Sequence, residues 1–480
     1  MLVYGLIIMT IVAIVLTSIL GFITQQIKFS LETQAREQAF QIAESGIHFY
    51  RWYLAHAVEG RTAAQVQAFW TSGNPYGVAT PYSVEYVDPS GAAIGKYQLT
   101  VTPPALGSTI VVVRSTGWAY RYPNDKRIVE VRYRRPSWSE SAVLANDFMR
   151  FGAGTEVFGK IVSNQGIRFD GVAHNTISSQ VSTYDDPDHG GAVEFGVHTH
   201  VNAPPGSGVN DTFRTAEAPP ASVPTRSDVF EAGRNLGVSH IDFTGVLGDL
   251  NLMQTTAISS GKYFDNSRGI GRRIILKTDG NFDTCAVKTM DTTTNDITAY
   301  LRNSGNNTCA TCSGLCLSTY PIPNNNVIYT EDDVWLDGQI NNKKVTVVAA
   351  NLLGGAAPSV FIANDLKYTN YNGDDIIGVI GQDSIEIPKT SDTDLRIDGA
   401  LLAQQGRIGR SDYGSSDHKN SITVYGAMAT NQRYGFAWTN GTNNWGYTTR
   451  NLYYDNNLLY YPPPYFPTGT QYQMDLWEEK

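Results

Sequence analysis

Two short stretches carry the residue types best suited to hold a metal. "DDPDHGG" places Asp185, Asp186, Asp188 and His189 within five residues, and "VHTH" follows with His198 and His200. Alternate residues of an extended chain share a face, so His198 and His200 present two imidazoles side by side, a spacing that could chelate zinc or copper. His189, His198, His200 and Asp188 are therefore the candidate ligands. A metal site needs a third fixed ligand, and the spacing of these residues alone supplies none. The sequence-level expectation is a polar loop beside a solvated strand, with no resident cofactor.

Four cysteines, Cys285, Cys309, Cys312 and Cys316, cluster in one segment. Two disulfides in any of three connectivities are expected. The rival is zinc: Cys309 and Cys312 have a knuckle spacing, but no histidine lies near them in sequence. Asp374, Asp375, Asp392, Asp394 and Asp398 could gather around calcium, yet they follow no calcium-loop spacing and read as turn residues. Arg121, Lys126, Arg127, Arg132, Arg134 and Arg135 alternate with Tyr120, Tyr122 and Tyr133. Such a strip could track a phosphate backbone, but Glu130 interrupts it and the chain's net charge is −9, so DNA is not an expected partner. The nucleotide-binding and hydrolase motifs are missing, and no pair of carboxylates can be placed across a groove. No enzymatic activity is expected.

The elements that must position these residues begin with a helix. Leu2 to Ile23 carries no charged side chain, and about 20 such residues cross a bilayer core. We read this stretch as a retained anchor, since neither a basic start nor a small-residue cleavage site frames it as a cleaved signal. The apolar pattern does not stop at the anchor: Ile27, Leu31, Ala35, Ala39, Ile42, Gly46, Tyr50 and Leu54 fall three or four apart. That stripe is the helix-packing face. It must be covered by the chain's own domain or by neighbouring copies. A short helix over 63–70, four strands near 82–87, 96–101, 109–116 and 127–135, and a boundary at "RPSWSES" follow.

Beyond the boundary the chain changes texture. "VWLDGQI", "VFIANDLKY", "LRIDGALLAQQGRI" and "ITVYGAMATN" share one grammar: a short alternating strand, then a glycine or polar corner. Gly338, Asn364, Gly399 and Gly426 mark the corners, and the steps 338 to 364 and 399 to 426 are near 26 residues, the length a β-solenoid coil needs to stack strand on strand.

The fold class expected is therefore α+β to mainly β: a long helix with a small antiparallel sheet, followed by a β-solenoid. Residues 1–60 form the transmembrane and amphipathic helix, and 61–138 the small sheet domain packing on it. Residues 139–184 form the first solenoid coils, 185–333 an irregular insertion with the cysteine cluster and one helix near 246–260, and 334–450 the later coils. Residues 451–480, aromatic and proline-rich, form a cap.

The first sixty residues resemble the type IV pilin superfamily, in particular its PilX-like minor pilins. The apolar run Leu2–Phe22 and the following "QAREQAFQIAESGIHFYRW" carry the resemblance, with "AESGI" at Ala43–Ile47 standing where that group often has "AEAG". The resemblance covers the helix well and the rest loosely. It implies a subunit inserted in the inner membrane and then packed in a filament core, displaying its C-terminal region at the cell surface. Its partners would be other pilins and the assembly machinery, with a surface glycan or host-cell ligand for the outer region. Precursors of that family carry a basic leader ahead of the apolar run, and none precedes it in this sequence. Most major pilins also carry a glutamate within the run; its absence here leans toward a minor or initiating role. The alternatives are a membrane-tethered carbohydrate-active enzyme and an adhesin that never polymerises.

Overall fold

The computed structural model describes residues 2–105, 108–243, 246–266, 268–440, 443–469 and 471–480. Helix α1 spans Leu2–Ala57, roughly 84 Å at 1.5 Å per residue. It runs unbroken because no proline interrupts it, and its threonines satisfy themselves: Thr10 and Thr17 Oγ1 each donate to the carbonyl one turn back, at 2.7 Å. The helix stops three residues before Gly60, whose φ of +73° a helix cannot use. Helix α2, Ala63–Thr71, starts at a reciprocal cap in which Thr62 Oγ1 accepts from the Gln65 amide and the Gln65 side chain accepts from the Thr62 amide.

Four strands then form an antiparallel meander: β1 (Tyr82–Val87), β2 (Ala93–Thr102), β3 (Val111–Ala119) and β4 (Arg127–Arg134). Their alternation of buried and solvent-facing residues turns Leu99, Val101, Val111, Val113, Val129, Val131 and Tyr133 onto α1. The helix meets them with Ala35, Ala39, Ile42, Ala43, Gly46, Ile47, Tyr50 and Leu54, all buried. Gly46 and Gly117 let the two press together: a Cβ on Gly46 would lie 2.4 Å from Ser115 Oγ, and one on Gly117 2.4 Å from the Ala39 carbonyl oxygen. Tyr133 fixes the register by donating its hydroxyl to the Ile47 carbonyl at 3.0 Å.

A fifth strand, Gln473–Glu479, pairs antiparallel with β4. This differs from the expectation that 451–480 caps the last coil. Prolines 462–464 end the coil texture as anticipated, but the "QMDLWEE" that follows is a competent edge strand, and Asp475 and Glu479 answer the arginines of β4. The chain therefore divides into one compact unit of residues 1–105, 109–136 and 469–480, and a second that includes 137–468. In sequence, the second unit is an insertion between the fourth and fifth strands of the first.

The second unit is a large mixed sheet wound as three parallel ladders. One ladder stacks Lys344–Ala349 on Ile376–Gly381, then Gly378–Gly381 on Ala400–Ala403, then Ala400–Ala403 on Ala427–Thr430. A second joins Val360–Phe361, Ile385–Ile387 and Ile408–Arg410. The third includes Val424 on Leu452 and Leu452 on Val157. Valine, isoleucine and leucine from all three fill one interior, including Val347, Val379, Leu401, Ile385, Ile408, Ile397, Val424 and Leu452. At the corners, Gly338, Gly399 and Gly426 have φ of +111°, +152° and +151°. Gly399 and Gly426 pair directly, and a Cβ on Gly426 would sit 1.9 Å from the Gly399 carbonyl oxygen, so only glycine fits. Asn364 is not a left-handed corner; its side chain donates to Asp337.

Spatial order departs from chain order. The strand ending at Thr430 pairs in parallel with Val143–Ala145, which continues to Ile161–Ser163, Ile177–Ser179 and Arg234–Leu236. The early and late coils thus form one continuous stack, with the chain's first coils beyond its last. Helix α3, Val246–Ser260, begins the return: its Leu250, Met253 and Ala257 pack with Val327, Tyr329 and Val348. At the other end, Gly271–Leu276 pairs in parallel with Asp333–Gly338 and antiparallel with Asn281–Asp291. Trp335 and Phe361 pack there with Cys285 and Cys316.

Candidate metal centre

The histidine-rich stretch builds a site at the edge of the early coils. Val197–His198 pairs in parallel with Ile167–Arg168, which turns Val197 into the coil interior. Just before it, Thr183–Tyr184 pairs antiparallel with Glu194–Phe195, folding the intervening loop back on itself. The hairpin brings the loop residues Asp186 and His189 over the strand residues Glu194 and His198, and over His200 beyond them. One ligand atom from each of these five residues lies within 4.8 Å of every other.

The atoms converge closely. Glu194 Oε2 is 3.0 Å from His189 Nε2, 3.1 Å from His198 Nε2 and 3.4 Å from His200 Nε2. Asp186 Oδ2 is 3.5 Å from His189 and His198 Nε2 and 4.0 Å from His200 Nε2. The side chains of Glu194, His198 and His200 are 0% exposed and that of His189 is 6% exposed, so bulk water does not solvate the carboxylates.

The far side of the ligands is held by a second layer of contacts. His200 Nδ1 is 2.8 Å from the Asn210 carbonyl, and His189 Nδ1 is 3.3 Å from that of Gly190. A carbonyl only accepts, so each of these nitrogens carries the proton, and in the neutral ring Nε2 is a bare lone pair aimed inward. Glu194 Oε1 accepts from the Arg214 amide at 2.9 Å, and Asp186 Oδ1 from the Asp188 amide at 3.0 Å. Each carboxylate therefore turns its other oxygen toward the histidines. Burial works against the charge on Asp186, but the His198 ring, the Asp188 amide and the Arg168 guanidinium hold its carboxyl well below the usual carboxylate range.

Arginines from the coils fasten the loop. Arg168, fully buried, donates to Asp170 at 2.8 Å and to Asp211, and lies 3.9 Å from Asp186. Asp188, a candidate ligand by sequence, is not part of the cluster: Arg150 and Arg433 take its carboxylate at 3.1 and 3.0 Å. Asp185 lines an adjacent cleft with Tyr184, Pro187 and Phe148. The expectation of a solvated strand fails at His198 and His200, which are buried. The sequence reading missed Glu194. Its signal was parity: Glu194, His198 and His200 are all even-numbered positions on one extended segment, hence on one face.

The other candidates have separate fates. Cys285 bonds to Cys312 and Cys309 to Cys316, so the cysteines are disulfides and not zinc ligands. The aspartates considered for calcium are dispersed among turn contacts. Asp375 accepts from the amides of Lys343, Thr369 and Asn370; Asp398 from Tyr368 and Tyr371; and Asp394 from Asn420 and Ser421. In the basic strip, Arg132 and Arg134 pair with Asp475 at 2.8 and 2.9 Å and Arg127 pairs with Glu479. Of the helix-packing residues, Ala35, Ala39, Ile42 and Gly46 are buried against the sheet, Leu31 is half-buried, and Ile27 is 55% exposed.

No protein-family model matches this sequence, and no curated protein matches it. Among solved structures, it is similar to the competence-associated pilin ComZ from Thermus thermophilus. The two share 13% identity over 93% of this chain and 97% of that one, with a TM-score of 0.31.

Proposed function

We propose that this chain is a membrane-inserted, pilin-like minor subunit of the PilX-like kind, serving type IV filament assembly and displaying a β-solenoid outside the cell. Its role is structural, not enzymatic. The observation that carries the reading is the division of α1. Residues from Ala35 onward are clamped on the chain's own sheet, while Leu2, Leu6, Ile11, Leu16, Leu20, Ile23, Ile27 and Phe29 are exposed on a helix long and apolar enough to cross a membrane. An uninterrupted rod with such a surface is stable in lipid, or among other helices of the same kind, and not in water. Small residues on it, Gly5, Ala13 and Gly21, recur eight apart and leave room for close helix approach.

Other pilin subunits and the assembly machinery are the partners this reading implies, first in the inner membrane and then in the filament. Replacing Ile27 with Asp puts a charge on the exposed stretch without touching the sheet. Filament incorporation should fall at least tenfold, while the soluble portion keeps its protease resistance. Normal incorporation of Ile27→Asp would overturn the proposal.

A further inference from the structure

We propose that Asp186, His189, Glu194, His198 and His200 bind one divalent first-row transition-metal ion that fastens the 182–214 excursion to the coil stack. Three observations, independent of one another, lead there.

The first is a hydrogen-bond deficit. His198 is fully buried, yet neither of its ring nitrogens has a hydrogen-bond partner, and neither has Asp186 Oδ2, which faces it. Buried polar atoms are normally satisfied, and a deficit shared by facing atoms at 3.5 Å marks a missing common partner. A water could donate to two of the inward acceptors but not to all five ligand atoms.

The second is charge. The two carboxylates bring two negative charges into an enclosed space. The nearest fixed cation, Arg168, donates to Asp170 and Asp211 and stands 3.9 Å from Asp186 Oδ2, so it offsets one of the two charges at most. The Asn210 and Gly190 carbonyls fix the protons of His200 and His189 on the outer nitrogens. Unless two rings are doubly protonated side by side, lone pairs face carboxylate oxygens, which is repulsive. A dication converts every one of these contacts into attraction.

The third is spacing. Ligands about 2.1 Å from a common ion lie roughly 3.0–3.4 Å apart at right or tetrahedral angles. The carboxylate-to-imidazole separations of 3.0, 3.1, 3.4 and 3.5 Å already match, and the widest pair in the cluster, at 4.8 Å, needs only a small closure. The donor set selects the ion. Three imidazoles disfavour calcium and magnesium, which prefer oxygen, and the lack of thiolate disfavours copper(I). Zinc, manganese, iron(II), cobalt and nickel suit it. With five protein donors closed around it, the ion has a fastening role: it ties the loop of Asp186 and His189 to the strand that pairs with Ile167–Arg168.

The test uses the full chain in detergent. Metal content is measured as purified, after EDTA, and after adding back one equivalent of zinc or cobalt. Close to one ion per chain is expected. Cobalt should give visible d–d bands shifted by nitrogen ligands, and EDTA should lower the Tm by about 3–5 °C, reversibly on adding zinc. His198→Ala and His200→Ala should each lose at least 90% of the bound ion. Should either fail to fold, Glu194→Gln, which keeps the shape and removes a charge, should weaken zinc at least tenfold. EDTA should also expose 185–193 to protease in the unmodified chain. Less than a tenth of an equivalent after zinc addition, or full binding retained in both histidine variants, would overturn the proposal.

Discussion

The two halves of α1 share one backbone and two different solvents. From Ala35 to Leu54 the buried residues form a stripe sealed by β2, β3 and β4, and most of the remaining positions are polar or charged, with Trp52 the exposed exception. From Leu2 to Ile23 the helix carries no charge, is apolar on every side apart from a few hydroxyls, and none of it is buried. A helix needs only a stripe when a sheet covers one side, and needs every side when lipid or other helices surround it. What differs is therefore not helix propensity but the number of faces that must leave water.

That contrast makes ranked predictions about stability. The largest effect belongs to Ile42→Asp, which buries an unpaired charge under the sheet at a position 0% exposed. It should cost about 4 kcal/mol or more and unfold the first unit, seen as loss of protease resistance in residues 61–135. Tyr133→Phe removes the hydroxyl that donates to the Ile47 carbonyl and should cost about 1 kcal/mol, measured by denaturant midpoint, since that carbonyl sits within a helix. Ile27→Asp, at 55% exposure, should change the same midpoint by less than about 0.5 kcal/mol, whatever it does to assembly. A large stability loss at Ile27 would break the contrast, because it would mean the chain itself covers that residue.

Much of this was legible in the sequence because period-3.6 and period-2 patterns are strong over long segments. The 246–260 helix, the strand at Tyr82–Val87, and the stripe through Ala35 and Ile42 appear where the pattern places them. Glycine at 399 and 426 was legible as a corner because left-handed backbone demands it. Ladder order was not. That Thr430 pairs with Ala145 depends on α3 and the hairpins returning the chain, and nothing local encodes it. The final strand escaped because prolines 462–464 dominate the reading of the tail, although the seven residues Gln473–Glu479 that form it follow.

The metal cluster was half legible. His198 and His200 two apart, and Asp186 with His189 in a loop, were visible as donors. Glu194 was hidden in a strand that reads as ordinary. Asp188 looked like a ligand only because sequence cannot show Arg150 and Arg433 arriving from other coils. Burial, the feature that turns polar residues into a metal site, belongs to the tertiary structure.

The central claim, that the first half of α1 packs against helices of other subunits, has a direct chemical test. All four native cysteines are paired in disulfides, so a single Ile27→Cys substitution introduces a unique reporter on the exposed stretch. Intact cells are treated with a membrane-permeant maleimide–diazirine crosslinker and irradiated, so that the maleimide bonds to the residue 27 thiol and the carbene inserts into a C–H bond of whatever helix lies beside it, and the chain is followed by mass. The account predicts crosslinked species joining this chain to further pilin-like chains through residue 27. A chain that stays monomeric at full length, or that is recovered with residues 1–30 removed, would contradict it.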